Sequence, residues 1–388
     1  MKIGIYNQPS GDSIGGTEQC VAVLAEALQH EHQVEIVHHK PTLTAERLAQ
    51  YCGVDLSNVH LRYQDGEPLP ARSWNLVKHY QATVHNSEAL SAPYDIFVNF
   101  THEVPPFCHA RQGILAVLFP YHNEAARVQR GGGALRGLER AYSRHLWRAR
   151  FGTYQQKTAI SEYTRLWTER FWQVDCAVLP PPVDTAFAHG EKKPQILSVG
   201  RFDTYAHPKR QREMAKTFAE LSGQGDLAGW EYYCLGGLGQ RAEDHQYFAQ
   251  VQEVASSSPA HITANVLRAE LKIRYEQAAI FWHAAGLDED SDLTPWQAEH
   301  FGITTVEAMA AGCVPIVINK GGQPEIVEHG VSGFVWQTLH ELKEYTQLLA
   351  NDSPQREAMS EAARRRADYY SREHYIKRFR RVLFNSPL

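Results

Sequence analysis

The sequence has no long apolar run, no paired cysteines, no surplus of positive charge and no dinucleotide fingerprint. The uninterrupted apolar stretch Ile114–Phe119 falls far short of the roughly 20 residues a membrane-spanning helix needs, so an integral membrane protein is not expected. Met1 leads directly into the strand-like run Lys2–Tyr6 without an apolar signal core, which predicts a cytoplasmic protein. Six cysteines, at 20, 52, 108, 176, 234 and 313, form no Cys-x-x-Cys pair and have no His-x-x-x-His partner. That spacing excludes a zinc finger or a disulfide framework and predicts free thiols. With 39 basic against 44 acidic residues the net charge is −5, which argues against a general nucleic-acid binder. The glycines after the first strand do not form Gly-x-Gly-x-x-Gly, which disfavours a nicotinamide enzyme.

What is present is a globular composition, 43% apolar and 21% charged over 388 residues, enough for two domains. Short β-rich runs alternate with amphipathic helices, as in parallel sheets with crossover helices. Expected strands are Lys2–Asn7, Gln33–His38, Asp95–Phe100 and Gly113–Pro120, then Gln195–Val199, Trp230–Leu235, Ala279–His283 and Val314–Asn319. Pro180-Pro181-Pro182 breaks the pattern, so the expected fold is two doubly wound α/β domains, residues 1–183 and 184–370, facing across a cleft. Ser371–Phe384 reads as an amphipathic helix, with Tyr375, Ile376, Phe379, Val382 and Leu383 on one face.

Ligands of open α/β sheets bind beyond the carboxyl ends of the strands, so the residues following each strand matter most. After the first strand, Gly15-Gly16 opens a helix and lets backbone amides approach an anion, or simply makes a tight turn. His122 follows Gly113–Pro120 and is a candidate for catalysis or for fixing a substrate hydroxyl, although most of the 20 histidines must be structural. Gly200-Arg201 and then Lys209-Arg210 follow Gln195–Val199 and suit a diphosphate. In Glu299–Gly312, two carboxylates seven residues apart flank a helix start whose amides at Phe301, Gly302 and Ile303 can face an anion. Thr304-x-x-Glu307 also fits a capping box, which would make Glu307 structural, whereas Glu299 has no such alternative. Asp288-Glu289-Asp290 has the look of an Asp-x-Asp metal motif but reads better as a solvated acidic loop, and no metal site is expected. Between Arg127 and Lys157 stand eight Lys or Arg residues and one acid, Glu139, with Arg136, Arg140, Arg144 and Arg148 on one helical face. That stripe is either a solvated face or a peripheral contact with an anionic membrane surface.

Taken together, Gly15-Gly16, His122, Gly200-Arg201, Lys209 and the Glu299/Glu307 pair resemble the family 4 glycosyltransferases of the GT-B fold, over nearly the whole chain. Glu299–Val327, with Ala308–Gly312 and Gly321-Gly322-Gln323-Pro324-Glu325, is the most specific segment, and Glu-His-Phe-Gly-Ile is similar to the branch of dolichol-linked mannosyltransferases. The resemblance implies retaining transfer of a sugar from a nucleotide-sugar donor to a hydroxyl of a glycan or lipid-linked acceptor, without a metal or other cofactor, in cell-surface polysaccharide assembly. Arg201, Lys209 and the amides at Phe301–Ile303 would neutralise the leaving diphosphate. Glu307 would hold the ribose and Glu299 the transferred sugar. Gly15-Gly16 would close over the donor, and His122 would contact sugar or acceptor. Residues 371–388 would pack back on the N-terminal domain. No carboxylate stands out as a covalent nucleophile, so same-face attack is expected. The competing readings are a GT-B sugar-nucleotide epimerase and a non-catalytic nucleotide-sugar binder.

Overall fold

The computed structural model describes residues 1–8, 14–65, 76–121, 134–204 and 208–384. The chain divides into two units, Met1–Pro182 with Tyr375–Leu388, and Val183–His374.

In the first unit, β1 (Lys2–Asn7), β2 (Gln33–His38), β3 (Val59–Tyr63), β4 (Ile96–Thr101), β5 (Gln112–Val117), β6 (Gln156–Ala159) and β7 (Ala177–Val178) form one parallel sheet. Their order is β3-β2-β1-β4-β5-β6-β7. Side chains alternate across a strand, and here both faces are covered. Ile96, Val98, Ile114 and Ala116 pack with Val21 and Leu24 of the helix Gly16–Leu28. Phe97, Leu115 and Val117 pack on the other side with Trp147, Phe151 and Trp172. Two-sided burial is why these strands read as continuous apolar runs.

The C-terminal helix Arg372–Leu383 belongs to the first unit's core. Tyr375, Phe379, Val382 and Leu383 are buried among Cys20, Leu24 and Leu28. Arg380 ties the same helix to Glu31 at 2.6 Å, and Gln112 donates to the Leu383 carbonyl at 3.0 Å.

The second unit has a parallel sheet of β8 (Lys193–Val199), β9 (Glu231–Gly236), β10 (Ala260–Ala264), β11 (Ala278–His283), β12 (Val314–Ile318) and β13 (Phe334–Trp336). The order is β10-β9-β8-β11-β12-β13. In both sheets the first strand lies between the second and the fourth, so the order reverses beside it and leaves a crevice at the carboxyl ends. Val183 joins this unit, because its N–H donates to the Tyr370 carbonyl and it bridges Ser371. The two units together form the doubly wound GT-B architecture that the resemblance implies.

The strands β3, β6, β7, β10 and β13 are absent from the sequence reading. Those at sheet edges pair on one side only, and Val59–Tyr63 and Ala260–Ala264 carry polar residues among half-exposed neighbours. They lack the apolar run that marks a central strand. All six cysteines are buried thiols without disulfides.

A buried ion pair locks the start of the helix Gly16–Leu28. Glu18 accepts from Lys40 at 2.6 Å and from the Asn7 amide at 2.9 Å, while its other oxygen accepts the Gly15 N–H at 2.8 Å. Burial would raise the Glu18 carboxyl, but Lys40, Asn7 and Gly15 outweigh it and hold it below the usual carboxylate range. Its contribution is therefore complete above that range and is lost as pH falls through its folded-state value. Lys40→Met should cost about 3–5 kcal/mol near neutral pH, measured by urea unfolding. The penalty should shrink in mild acid, where Glu18 takes up a proton. An equal penalty at both pH values would refute this account.

Candidate active site

The second sheet reverses its strand order between β8 and β11, and the candidate residues gather around the ends of these two strands. β8 runs into Gly200 and Arg201. Gln211, buried at the start of the helix Gln211–Gly223, donates to both their carbonyls at 3.1 and 2.9 Å and so sets the turn. Gly200 is required by close approach, since a Cβ there would lie 2.6 Å from Lys209 Cγ. The lysine stem thus lies across the glycine. Arg201 is exposed, and its guanidinium has no carboxylate partner among the described residues.

Lys209 Nζ forms an ion pair with Glu299 Oε2. The same oxygen lies 3.2 Å from Nε2 of His283, the last residue of β11. His283 is 3% exposed. Burial pushes its imidazole below the ordinary histidine range, against the pull of Glu299, so the ring is neutral at neutral pH. A carboxylate can only accept, so the neutral ring donates its Nε2 hydrogen. A small cavity beside this group is lined by Gly200, Lys209, Gln211, Met214, Trp282 and His283.

The segment Phe301–Ile303 enters the helix Ile303–Ala310, whose N-cap, Gly302, has φ +128° and supplies no side-chain cap. Only glycine adopts that conformation without strain, and a Cβ would also collide with the Gln323 amide. Gln323 is fully buried; it accepts from Thr305 Oγ1 at 2.8 Å and donates to the Phe301 carbonyl at 3.1 Å. It thereby fixes the helix entry, and an uncapped helix start with a positive dipole end favours an anion.

Glu307 lies inside this helix and is buried. The Thr304-x-x-Glu307 capping box does not form, because Gly302 is the cap and Glu307 reaches another element. Arg268 donates to its Oε1 at 2.6 Å and Tyr275 to its Oε2 at 3.0 Å. The two carboxylates of the seven-residue spacing are therefore each paired to a cation from a different element.

Arg210, the alternative phosphate contact, is instead paired with Glu289 Oε1 at 2.5 Å. Glu289 also accepts from Thr294 at 3.1 Å, and Asp290 caps its own turn through the Asp292 N–H at 2.8 Å. The acidic loop is thus laced to cations and to its own backbone. In the first unit, Gly15 is the N-cap residue and Gly16 the first residue of the helix Gly16–Leu28. His122 lies outside the described residues. Of the basic stripe, Arg144 and Arg148 are exposed on the helix Ala134–Gly152, and the side chains of Arg136 and Arg140 lie outside the described residues. Among the described residues no helix is long and apolar enough to cross a membrane.

Sequence reasoning gave no role to His283, Arg268 or Tyr275, and it named Gln323 only as part of the segment Gly321–Glu325. His283 was findable, since it ends a strand that the apolar pattern marks. Arg268 and Tyr275, seven apart, share a helix face, but nothing local connects them to Glu307.

The model of the family described as Glycosyl transferases group 1 matches residues 184–366, and that of Glycosyltransferase Family 4 matches residues 14–187. The chain is 24% identical over 229 residues to the GDP-Man:Man(3)GlcNAc(2)-PP-Dol alpha-1,2-mannosyltransferase of Dictyostelium discoideum, covering 55% of this chain and 43% of that protein. It is 26% identical over 168 residues to the alpha-1,3/1,6-mannosyltransferase ALG2 of Homo sapiens, covering 41% and 36%. These matches span less than half the length of either relative. Among solved structures, Anabaena Alr3699/HepE in complex with UDP and glucose shares the fold, with a TM-score of 0.69 at 14% identity over 99% of this chain and 100% of that one. The two family models together run from residue 14 to residue 366, and the chain belongs to the family 4 glycosyltransferases of the GT-B fold.

Proposed function

We propose that this chain is a retaining glycosyltransferase that moves a sugar from a nucleotide-diphosphate sugar to a hydroxyl of a glycan or lipid-linked acceptor, without a metal. The observation that carries the reading is the ion-paired Glu299, with Lys209 and His283 around it at the ends of β8 and β11. Such a group can read a sugar on one side and a diphosphate on the other.

In this reading Arg201 and Lys209 neutralise the diphosphate, together with the Phe301, Gly302 and Ile303 amides. Charge grows on the leaving phosphate oxygen as the anomeric C–O bond breaks, and preorganised cations and amides stabilise that charge most where water is excluded. The acceptor oxygen bonds to the anomeric carbon from the same face, and its proton passes to the leaving phosphate oxygen. Glu299 holds hydroxyls of the transferred sugar, and Glu307, oriented by Arg268 and Tyr275, holds the ribose. Gly15, Gly16 and His122 contact donor or acceptor. The two relatives are named as mannosyltransferases, one with a GDP-linked donor and a dolichol-linked acceptor, which supports a lipid-linked acceptor. Exposed Arg144 and Arg148 support contact with an anionic membrane surface.

A thermal-shift screen of UDP, GDP, ADP and their common sugar conjugates, with and without EDTA, tests the donor class. A ligand at 100 times its Kd adds about 2.7 kcal/mol. One nucleotide family should raise the melting point regardless of EDTA. No shift would sink the donor reading, and a shift abolished by EDTA would bring back Asp288-Glu289-Asp290 as a metal site. With the donor identified, Glu299→Ala should lower kcat/KM for transfer by about 100-fold or more, on the order of 3 kcal/mol. Unchanged transfer would remove Glu299 from the site.

A further inference from the structure

We propose that His283 is a positioning residue that keeps Glu299 in register after a donor has drawn Lys209 away, an inference that rests on the reading of Glu299 as the sugar-contacting carboxylate.

Lys209 and His283 both hold Glu299 Oε2, and they differ in what they can do next. Lys209 carries its ammonium on a long stem that crosses Gly200 beside exposed Arg201, and its side chain is 19% exposed. An ammonium on a flexible stem follows a nearby phosphate readily, because it binds as a point charge without a preferred plane. The diphosphate that Arg201 and Lys209 bind therefore competes directly with Glu299 for Nζ. His283 has no such freedom. It ends β11, whose Ile280 and Phe281 are in register with Ile196 and Leu197 of β8, and its ring is sealed from solvent. Its Nδ1 is buried with no hydrogen-bond partner among the described residues, so Glu299 is the group that the ring serves.

The pairing also has a direction. Donation from Nε2 leaves Glu299 an ionised acceptor, the form that takes hydrogen bonds from sugar hydroxyls. A half-buried carboxylate that loses a cation either reorients towards another donor or gains a proton, and either change spoils its geometry for the sugar. The fixed N–H of His283 opposes both. Displacements of about 1 Å in such positioning groups cost about 100-fold in rate.

The test compares binding of UDP, GDP, UDP-glucose and GDP-mannose by calorimetry, together with the kcat and KM of the accepted donor. His283→Phe fills the space without a donor, and His283→Gln restores an N–H near the position of Nε2. His283→Phe should bind the accepted nucleoside diphosphate as the native protein does but lose about 10–100-fold for its sugar conjugate, and His283→Gln should recover most of that loss. Lys209→Met should weaken the diphosphate and the conjugate alike. If His283→Phe does not fold, His283→Asn, whose amide ends short of Glu299, carries the same expectation. Glu299→Ala is run beside them. If it separates conjugate from diphosphate and His283→Phe does not, the positioning role falls and the reading of Glu299 stands. If neither variant separates them, both fall.

Discussion

The pairing of β8 with β11 is the interaction on which the candidate site depends. These strands are distant in sequence yet hydrogen-bonded side by side, with Ile196 opposite Ile280 and Leu197 opposite Phe281. Because both run in the same direction, both deliver their carboxyl ends to one edge of the sheet. Gly200-Arg201 leaves one strand there, and His283 ends the other. Helix starts and loops then converge on that edge, bringing Lys209, Glu299 and the amides of Phe301–Ile303 to a single place.

Charge sets the second constraint. A carboxylate taken out of water needs partners, and each acid at this edge has them. Glu299 has Lys209 and His283, Glu307 has Arg268 and Tyr275, and Glu289 has Arg210. In the first unit Glu18 has Lys40, Asn7 and the Gly15 amide. These pairs keep the acids aimed without a ligand, and a cation on a long stem remains able to change partner. Strain is stored nearby as well, with Arg210 at φ +57° and Asp288 at φ +64° on either side of the Arg210–Glu289 contact.

Much of the fold was legible before any coordinates. Central strands such as Val314–Ile318 and Ala278–His283 are buried on both faces, so their apolar runs are unmistakable. The stripe of Tyr375, Phe379, Val382 and Leu383 likewise marked a face that must be covered. The edge strands β3 and β10 were not legible, because half of each is solvated and its composition matches that of a loop, and β13 was missed because its apolar run is only three residues long. For the candidate site, the motif residues Lys209, Glu299 and Glu307 stand out by spacing, whereas their partners do not. The capping box suggested for Glu307 failed for a related reason, since a local spacing cannot reveal a stronger partner such as Arg268 on another helix.

By itself, then, the sequence determined the alternation of strands and helices, the apolar faces, the glycines at 200 and 302 and the residue types able to bind a diphosphate and a sugar. These follow from local preferences and from periodicity, which act over a few residues. Only the tertiary structure decided which charge meets which. Lys209 with Glu299, Glu299 with His283 and Arg268 with Glu307 are separated by 90, 16 and 39 residues. Their meeting depends on strand order, and strand order is settled by the burial of two complete sheet faces rather than by any local segment.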